Sequence, residues 1–288
     1  MEPAKAYDSC LQLARNHYEN FPVASVLLPK SIRKPVAAIY AFARTADDFA
    51  DEGLLDNKTR LAKLNAYENE LDHIEQGIPS EDAVFVALGH AIKKYELPVE
   101  QFRKLLSAFK QDVTKHRYDN IGEILDYCDR SANPVGHLLL ALVGKNNENL
   151  LKLSNSVCTG LQLTNFLQDI SVDYKIGRIY MPMDEMKNNN IDEKFIRDKK
   201  YNQDWQNFIN QQLKRAHNLL VDGFPLGGHL GFRLGNEIKL TVSGGLKVLD
   251  RLQIINQHQF LYQARLNMLD WNLVIFKSLL SLSPGKIS

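Results

Sequence analysis

Apolar residues recur every three to four positions along most of the chain, as at Leu61, Leu64, Tyr67, Leu71 and Ile74, a spacing that gathers them on one face of a helix. Extended β-branched alternation, the mark of a strand, is hard to find. The pattern predicts an all-α protein of about ten helices. Breaks are expected where proline, glycine or a capping serine interrupts the pattern: Phe21-Pro22, Leu28-Pro29, Lys34-Pro35, residues 77–80, Leu97-Pro98, Met181-Pro182 and residues 223–231. Asn133-Pro134 interrupts the apolar run 121–143 and can be read in two ways. The proline removes the bond to the Arg130 carbonyl and kinks one helix, or Asn133 caps a fresh helix with Pro134 at its first position. Arg265, Asp270 and Lys277 interrupt the last apolar segment, 260–282, making it a poor membrane span. A packed terminal helix is the simpler reading, and the apolar run from Trp271 to Phe276 leaves a membrane-surface helix open.

Composition narrows the class. The chain has 288 residues, 44% of them hydrophobic, with no repeat or low-complexity linker, so residues 1–288 are expected to form a single domain with a sizeable core. Thirty-five basic residues against 34 acids leave a formal charge of +1, hence no global field for nucleic acid or an acidic bilayer. The N-terminus lacks a secretory pattern, which predicts a cytoplasmic protein. Cys10, Cys128 and Cys158 are far apart and form no CxxC pair. HExxH, GxGxxG and Walker patterns are absent, which argues against the usual zinc-hydrolase, dinucleotide and P-loop chemistries.

The candidate chemistry lies in two acidic stretches. In ARTADDFADEG, residues 43–53, Asp47 and Asp51 are one helical turn apart, and so are Asp48 and Glu52. Like charges at that spacing repel, and a solvated helix end is the simplest context for them. Because the apolar run VAAIYAFART leads straight into these acids, they are expected in mid-helix. The same spacing returns at Asp169 and Asp173 within LQLTNFLQDISVDYKIGRIYMP, residues 161–182. Two helices with paired carboxylates suit Mg²⁺, which favours hard oxygen ligands and commonly bridges protein to a diphosphate. A di-iron centre would use Glu-x-x-His pairs, which are missing. Arg44, Lys175 and Arg178 flank the acids and could grip a diphosphate, making it a better leaving group. The cation left behind needs a dry pocket with aromatic faces.

With both motifs present, in order and with their flanks, the chain resembles the squalene/phytoene synthase family of head-to-head prenyl synthases. Matching features run over about 17–252, including LLP at 27–29, AFKQD at 108–112 and YC at 127–128. The resemblance implies an all-α isoprenoid-synthase fold with one central active-site cavity, in which Asp47, Asp51, Asp169 and Asp173 bind Mg²⁺. By the same resemblance Arg44 and Asn165 bind the diphosphate region, and Tyr127 takes part in the chemistry of a cyclopropyl intermediate. His17 matches a histidine near the diphosphate, with a locally satisfied helix histidine as the plain alternative. Arg178 and Tyr180 match an RIY stretch in which substrate binding and loop packing are both open.

Three departures from the common pattern carry further information. The second motif reads NFLQD, with Gln168 where a cationic residue is common; residues 20–25 read NFPVAS, and 131–136 read SANPVG. Together they resemble the hydroxysqualene synthase branch, found in bacterial hopanoid biosynthesis. That branch implies presqualene diphosphate and water as substrates and no need for NADPH. One diphosphate requires less fixed charge than two, and Gln168 offers hydrogen bonds without neutralising an anion; Lys115, His116 and Arg117 are the alternative sources of charge. A condensing synthase making squalene, dehydrosqualene or phytoene from farnesyl or related prenyl diphosphates is the second reading. A noncatalytic assembly subunit, a third, fits poorly because all four aspartates are present. Other enzymes of the squalene pathway are the expected handover partners, and peripheral contact with the inner membrane surface stays open.

Overall fold

A computed structural model describes residues 1–16 and 28–255. His17, the 20–25 stretch and the 260–282 segment lie outside the described residues. Among the described residues there are fourteen helices and no strand; the one extended pairing is a parallel bridge between Tyr118 and Pro182. The all-α expectation therefore holds, with the surplus over ten coming largely from helices of four to six residues at 170–175, 183–188, 193–197 and 226–229. By internal packing the chain falls into two compact units, 1–115 with 130–151, and 116–129 with 152–288.

The first unit holds α1 (Pro3–Asn16), α2 (Lys30–Asp51), α3 (Asn57–Gln76), α4 (Ala83–Tyr95), α5 (Val99–Asp112) and α7 (Asn133–Leu142). Small residues let the first helices approach closely: Ala6, Cys10 and Ala14 of α1 share a cluster with Ala37, Ala38 and Ala41 of α2 and Ala87 of α4. Next to it, the Phe42 ring of α2 meets Tyr67 of α3, Phe85 of α4 and Phe102 of α5 at 5.3 to 5.9 Å. Edge-on contacts dominate there, the geometry that ring quadrupoles favour. Helix starts are capped by Asp56, which accepts from the Thr59 amide, and by Asp82, which accepts from the Val84 amide.

Lys34-Pro35 does not break the chain: Pro35 lies inside α2. A proline there leaves the Ser31 carbonyl without its helical partner, and the Tyr95 hydroxyl of α4 donates to that carbonyl at 2.9 Å. At Asn133-Pro134 a fresh helix does begin, with Pro134 in its first turn; the capping position is Ala132 rather than Asn133.

The second unit holds most of α6 (Ile121–Ser131), α8 (Glu148–Gln168), α9 (Ile170–Lys175), α10 (Met183–Asn188), α11 (Glu193–Arg197), α12 (Gln203–Gly223), α13 (Leu226–His229) and α14 (Gly231–Ile255). Glycines set its helix contacts. A Cβ on Gly223 of α12 would lie 2.5 Å from the Val157 side chain of α8, and one on Gly245 of α14 would lie 2.9 Å from Leu161. On Gly235 a Cβ would sit 2.1 Å from the Gly227 carbonyl oxygen. Among the described residues, no helix is long and apolar enough to cross a membrane.

Candidate active site

In the first unit the acids expected in mid-helix stand instead at the end of α2, whose last residue is Asp51. Gly53 follows in the left-handed region (φ +77) and turns the chain away. A helix C-terminus carries partial negative charge, so this is the less favourable end for carboxylates, and no basic residue occupies the last turn of α2. Arg44 offsets part of the charge from within the helix. Its Nη2 lies 2.7 Å from Asp48 Oδ1 and 2.6 Å from Glu52 Oε1, while Nη1 is 3.9 Å from Asp47 Oδ2. A diphosphate reaching Arg44 must therefore compete with two acids of the same segment.

Asp47 keeps the imbalance. Burial first, then Asp51, push its carboxyl up to about 7, with Asp112 and Asp48 adding and Arg44 opposing. Asp112, at the end of α5, is 3% exposed and was not singled out as a site residue, although it belongs to the AFKQD stretch. Only the acid at the end of an otherwise apolar α5 face could have signalled it.

In the second unit the helix breaks at the acidic motif. α8 ends at Gln168, Asp169 (φ −107, ψ 14) bridges to α9, and Asp173 lies within α9. Backbone bonds carry the register through: the Asp169 amide donates to the Asn165 carbonyl at 2.9 Å, and the Asp173 amide to the Asp169 carbonyl at 2.8 Å. The Asp169 side chain does not cap the helix it precedes. The Arg178 amide then closes on the Asp173 carbonyl at 2.8 Å, and Arg178 itself is 7% exposed.

Asn165, Gln168, Asp169, Asp173, Arg178 and Tyr180 thus belong to one short stretch, and Tyr127 of α6 reaches it through aromatic contacts. Phe166 and Tyr180 stack with centroids 4.1 Å apart, and Tyr127 lies 5.6 Å from Tyr180 and 6.0 Å from Phe166. Tyr118 completes the group, 5.6 Å from Tyr180. Phe166 and Tyr118 were missed by sequence reasoning because an aromatic at helical spacing reads as ordinary core.

Two of the alternative cations change meaning. Burial, followed by Arg178 and Arg117, holds His116 below its ordinary value, which disfavours its cationic form. The Arg117 guanidinium is paired bidentately with Glu193 (2.7 and 2.8 Å) and also donates to the His116 and Gly177 carbonyls. Neither supplies an uncommitted positive charge to replace the one missing at Gln168.

Among the described residues no group of three or more histidines, cysteines or acids is gathered to hold a metal ion. The donors nevertheless fit a hard divalent cation. Each motif contributes two carboxylates, and Mg²⁺ is typically held by one or two of these with phosphate oxygens and water completing the octahedron. A cation bound there would favour the ionised form of the Asp47 carboxyl, which burial first and Asp51 next hold above its ordinary value.

Comparison with known proteins assigns the chain. Residues 14–272 match the squalene/phytoene synthase family. A hydroxysqualene synthase of Rhodopseudomonas palustris is 34% identical over 237 residues, covering 82% of this chain and 80% of that protein. The crystal structure of squalene synthase HpnC from Alicyclobacillus acidocaldarius is also 34% identical, with a TM-score of 0.82 over 90% of this chain and 95% of that one. A dehydrosqualene synthase at 21% identity superimposes with a TM-score of 0.87 over 97% of each chain, a likeness of fold. With its helical isoprenoid-synthase fold and both aspartate motifs in place, the chain belongs to the squalene/phytoene synthase family and is an isoprenoid synthase acting on prenyl diphosphates.

Proposed function

We propose that the protein is an Mg²⁺-dependent hydroxysqualene synthase that converts presqualene diphosphate and water to hydroxysqualene and diphosphate, with residues 1–288 acting as one synthase domain. The observation that carries this reading is Gln168 in the second aspartate motif, beside an Arg117 that is bound to Glu193 and a His116 whose cationic form is disfavoured by burial. A site with less fixed charge is better matched to one diphosphate than to two. The 34% identity to a hydroxysqualene synthase over most of both chains supports the same branch.

In this reading Asp47, Asp51, Asp169 and Asp173 hold Mg²⁺, which neutralises the leaving group when bound. Arg44, Asn165, Gln168, Arg178 and Tyr180 orient the diphosphate end, and His17 belongs to the same group. The C–O bond breaks and its electron pair leaves with diphosphate. The cyclopropylcarbinyl cation rearranges beside Tyr127, whose ring belongs to a buried aromatic group suited to stabilising positive charge. Water forms the new C–O bond and loses a proton. No electrons are gained or lost overall, so NADPH has no part in this reaction. The protein works in the cytoplasm, with peripheral contact at the inner membrane surface and handover from the enzyme that makes presqualene diphosphate.

Incubation with Mg²⁺ and either presqualene diphosphate or farnesyl diphosphate in ¹⁸O-water, without NADPH, tests the assignment by mass spectrometry. Labelled hydroxysqualene from the first substrate, with the second untouched, is expected. Consumption of farnesyl diphosphate to a C30 product would instead assign a condensing synthase.

A further inference from the structure

One arrangement occurs twice in the chain. The first acidic segment ends at Asp51 and turns through Gly53 (φ +77); the second ends at Lys175 and turns through Gly177 (φ +85). In each turn an arginine outside the segment donates to the glycine carbonyl. Arg60, in the first turn of α3, reaches the Gly53 carbonyl at 2.8 Å, those of Phe49 and Glu52 at 3.0 and 3.1 Å, and that of Leu55 at 3.2 Å. Arg117 donates to the Gly177 carbonyl and to that of His116, while Glu193 fixes the other edge of its guanidinium.

The placement of these bonds relative to the aspartates is what gives them a role. The carbonyls held by Arg60 bracket Asp51, two residues before it and one after, at a helix end where carbonyl dipoles and acids accumulate negative charge. Arg117 holds Gly177, and the next amide, that of Arg178, closes on the Asp173 carbonyl. The Ile179 amide donates at 3.0 Å to the His116 carbonyl that Arg117 also holds. Each guanidinium thus places several donors in a fixed plane, which a lysine ammonium cannot reproduce.

We infer that Arg60 and Arg117 are positioning residues, each holding the glycine turn behind one aspartate pair so that its carboxylates are set for a divalent cation and a diphosphate. The inference rests on the metal-binding role given above to those aspartates. Neither arginine contacts the reacting atoms; both act through the backbone.

Arg60→Lys and Arg117→Lys keep the charge and remove the fork. Hydrogen exchange of the metal-free proteins, followed over peptides covering 47–55 and 173–180, is expected to quicken only in the turn served by the altered arginine. Titration calorimetry with Mg²⁺ in the presence of inorganic diphosphate should show an affinity loss of about tenfold, the lower end of what supporting partners of metal ligands contribute. At saturating Mg²⁺, kcat should stay within about threefold, because a binding defect is overcome by mass action. In Arg60→Ala and Arg117→Ala, added methylguanidinium should restore part of the affinity. Unchanged local exchange, or unchanged Mg²⁺ affinity in both lysine variants, overturns the inference. So does a loss of melting temperature and kcat together without an affinity shift, which assigns general stabilisation. Wild-type turnover of presqualene diphosphate is measured alongside: its failure sinks the assignment of substrate, while calorimetry still decides the role of the arginines.

Discussion

Replacing Asp47 by asparagine removes a charge from the end of α2 with little change of shape. In the folded chain the Asp47 carboxyl is pushed from its ordinary 3.8 up to about 7, by burial and then by Asp51. The folded state therefore holds this proton more tightly than the unfolded chain does. The associated stability is fully present below the ordinary carboxylate value and is lost as the pH rises through 7. Between pH 5 and pH 8 the loss before solvent screening is about 3 kcal/mol. Since 40% of the Asp47 side chain is exposed, solvent screening reduces this to about 1 kcal/mol. The asparagine protein has no such dependence, so wild type should lose about 1 kcal/mol relative to it over that range, a melting difference of about 2–4 °C. Thermal and urea unfolding of both proteins at pH 5, 6, 7 and 8, at constant ionic strength with a chelator, would measure it. Parallel stability curves for the two proteins across that range would refute the reasoning.

Asp169→Ala should lower turnover of presqualene diphosphate by at least about a hundredfold; a thermal shift large enough to account for that loss would assign it a structural role instead. Gly235→Ala forces a Cβ to 2.1 Å from the Gly227 oxygen and should destabilise by about 3 kcal/mol, whereas Gly228→Ala, with no atom within 4 Å of its Cβ position, serves as a near-neutral control in the same urea titration. Tyr95→Phe leaves the Ser31 carbonyl without the donor it receives in place of the Pro35 amide, and urea unfolding should register a loss of about 1 kcal/mol. Gln168→Arg restores fixed charge to the second motif, so any consumption of farnesyl diphosphate should rise, as read by mass spectrometry of the lipid products.

Local rules were legible where the chain obeys them one segment at a time. The helical spacing of Leu64, Tyr67 and Leu71 does place those side chains in the core, and the expected breaks at 77–80 and Leu97-Pro98 fall between helices. Both aspartate pairs were visible because i, i+4 spacing is a property of the sequence itself. What escaped depends on distant partners. Pro35 reads as a breaker until Tyr95, 64 residues beyond Ser31, supplies a donor to the stranded Ser31 carbonyl. The acids read as mid-helix because Gly53 acts with Arg60, a surface-type residue whose four backbone acceptors have no periodic signature. Arg117 reads as free positive charge, and only the pairing with Glu193, 76 positions later, changes its meaning.

Gly53 and Gly177 are restricted by handedness rather than by room. Both have positive φ, yet a Cβ added at either would meet nothing within 4 Å. An L-alanine there would be strained by its own backbone by about 1–2 kcal/mol, whereas a D-alanine, for which positive φ is the relaxed conformation, would fit the same space. Semisynthesis with the mirror-image residue at either position should stiffen the turn and reduce the freedom of the unfolded chain. The two turns behind the aspartates are therefore places where the chirality of one residue, with no change in its size, can tune the protein.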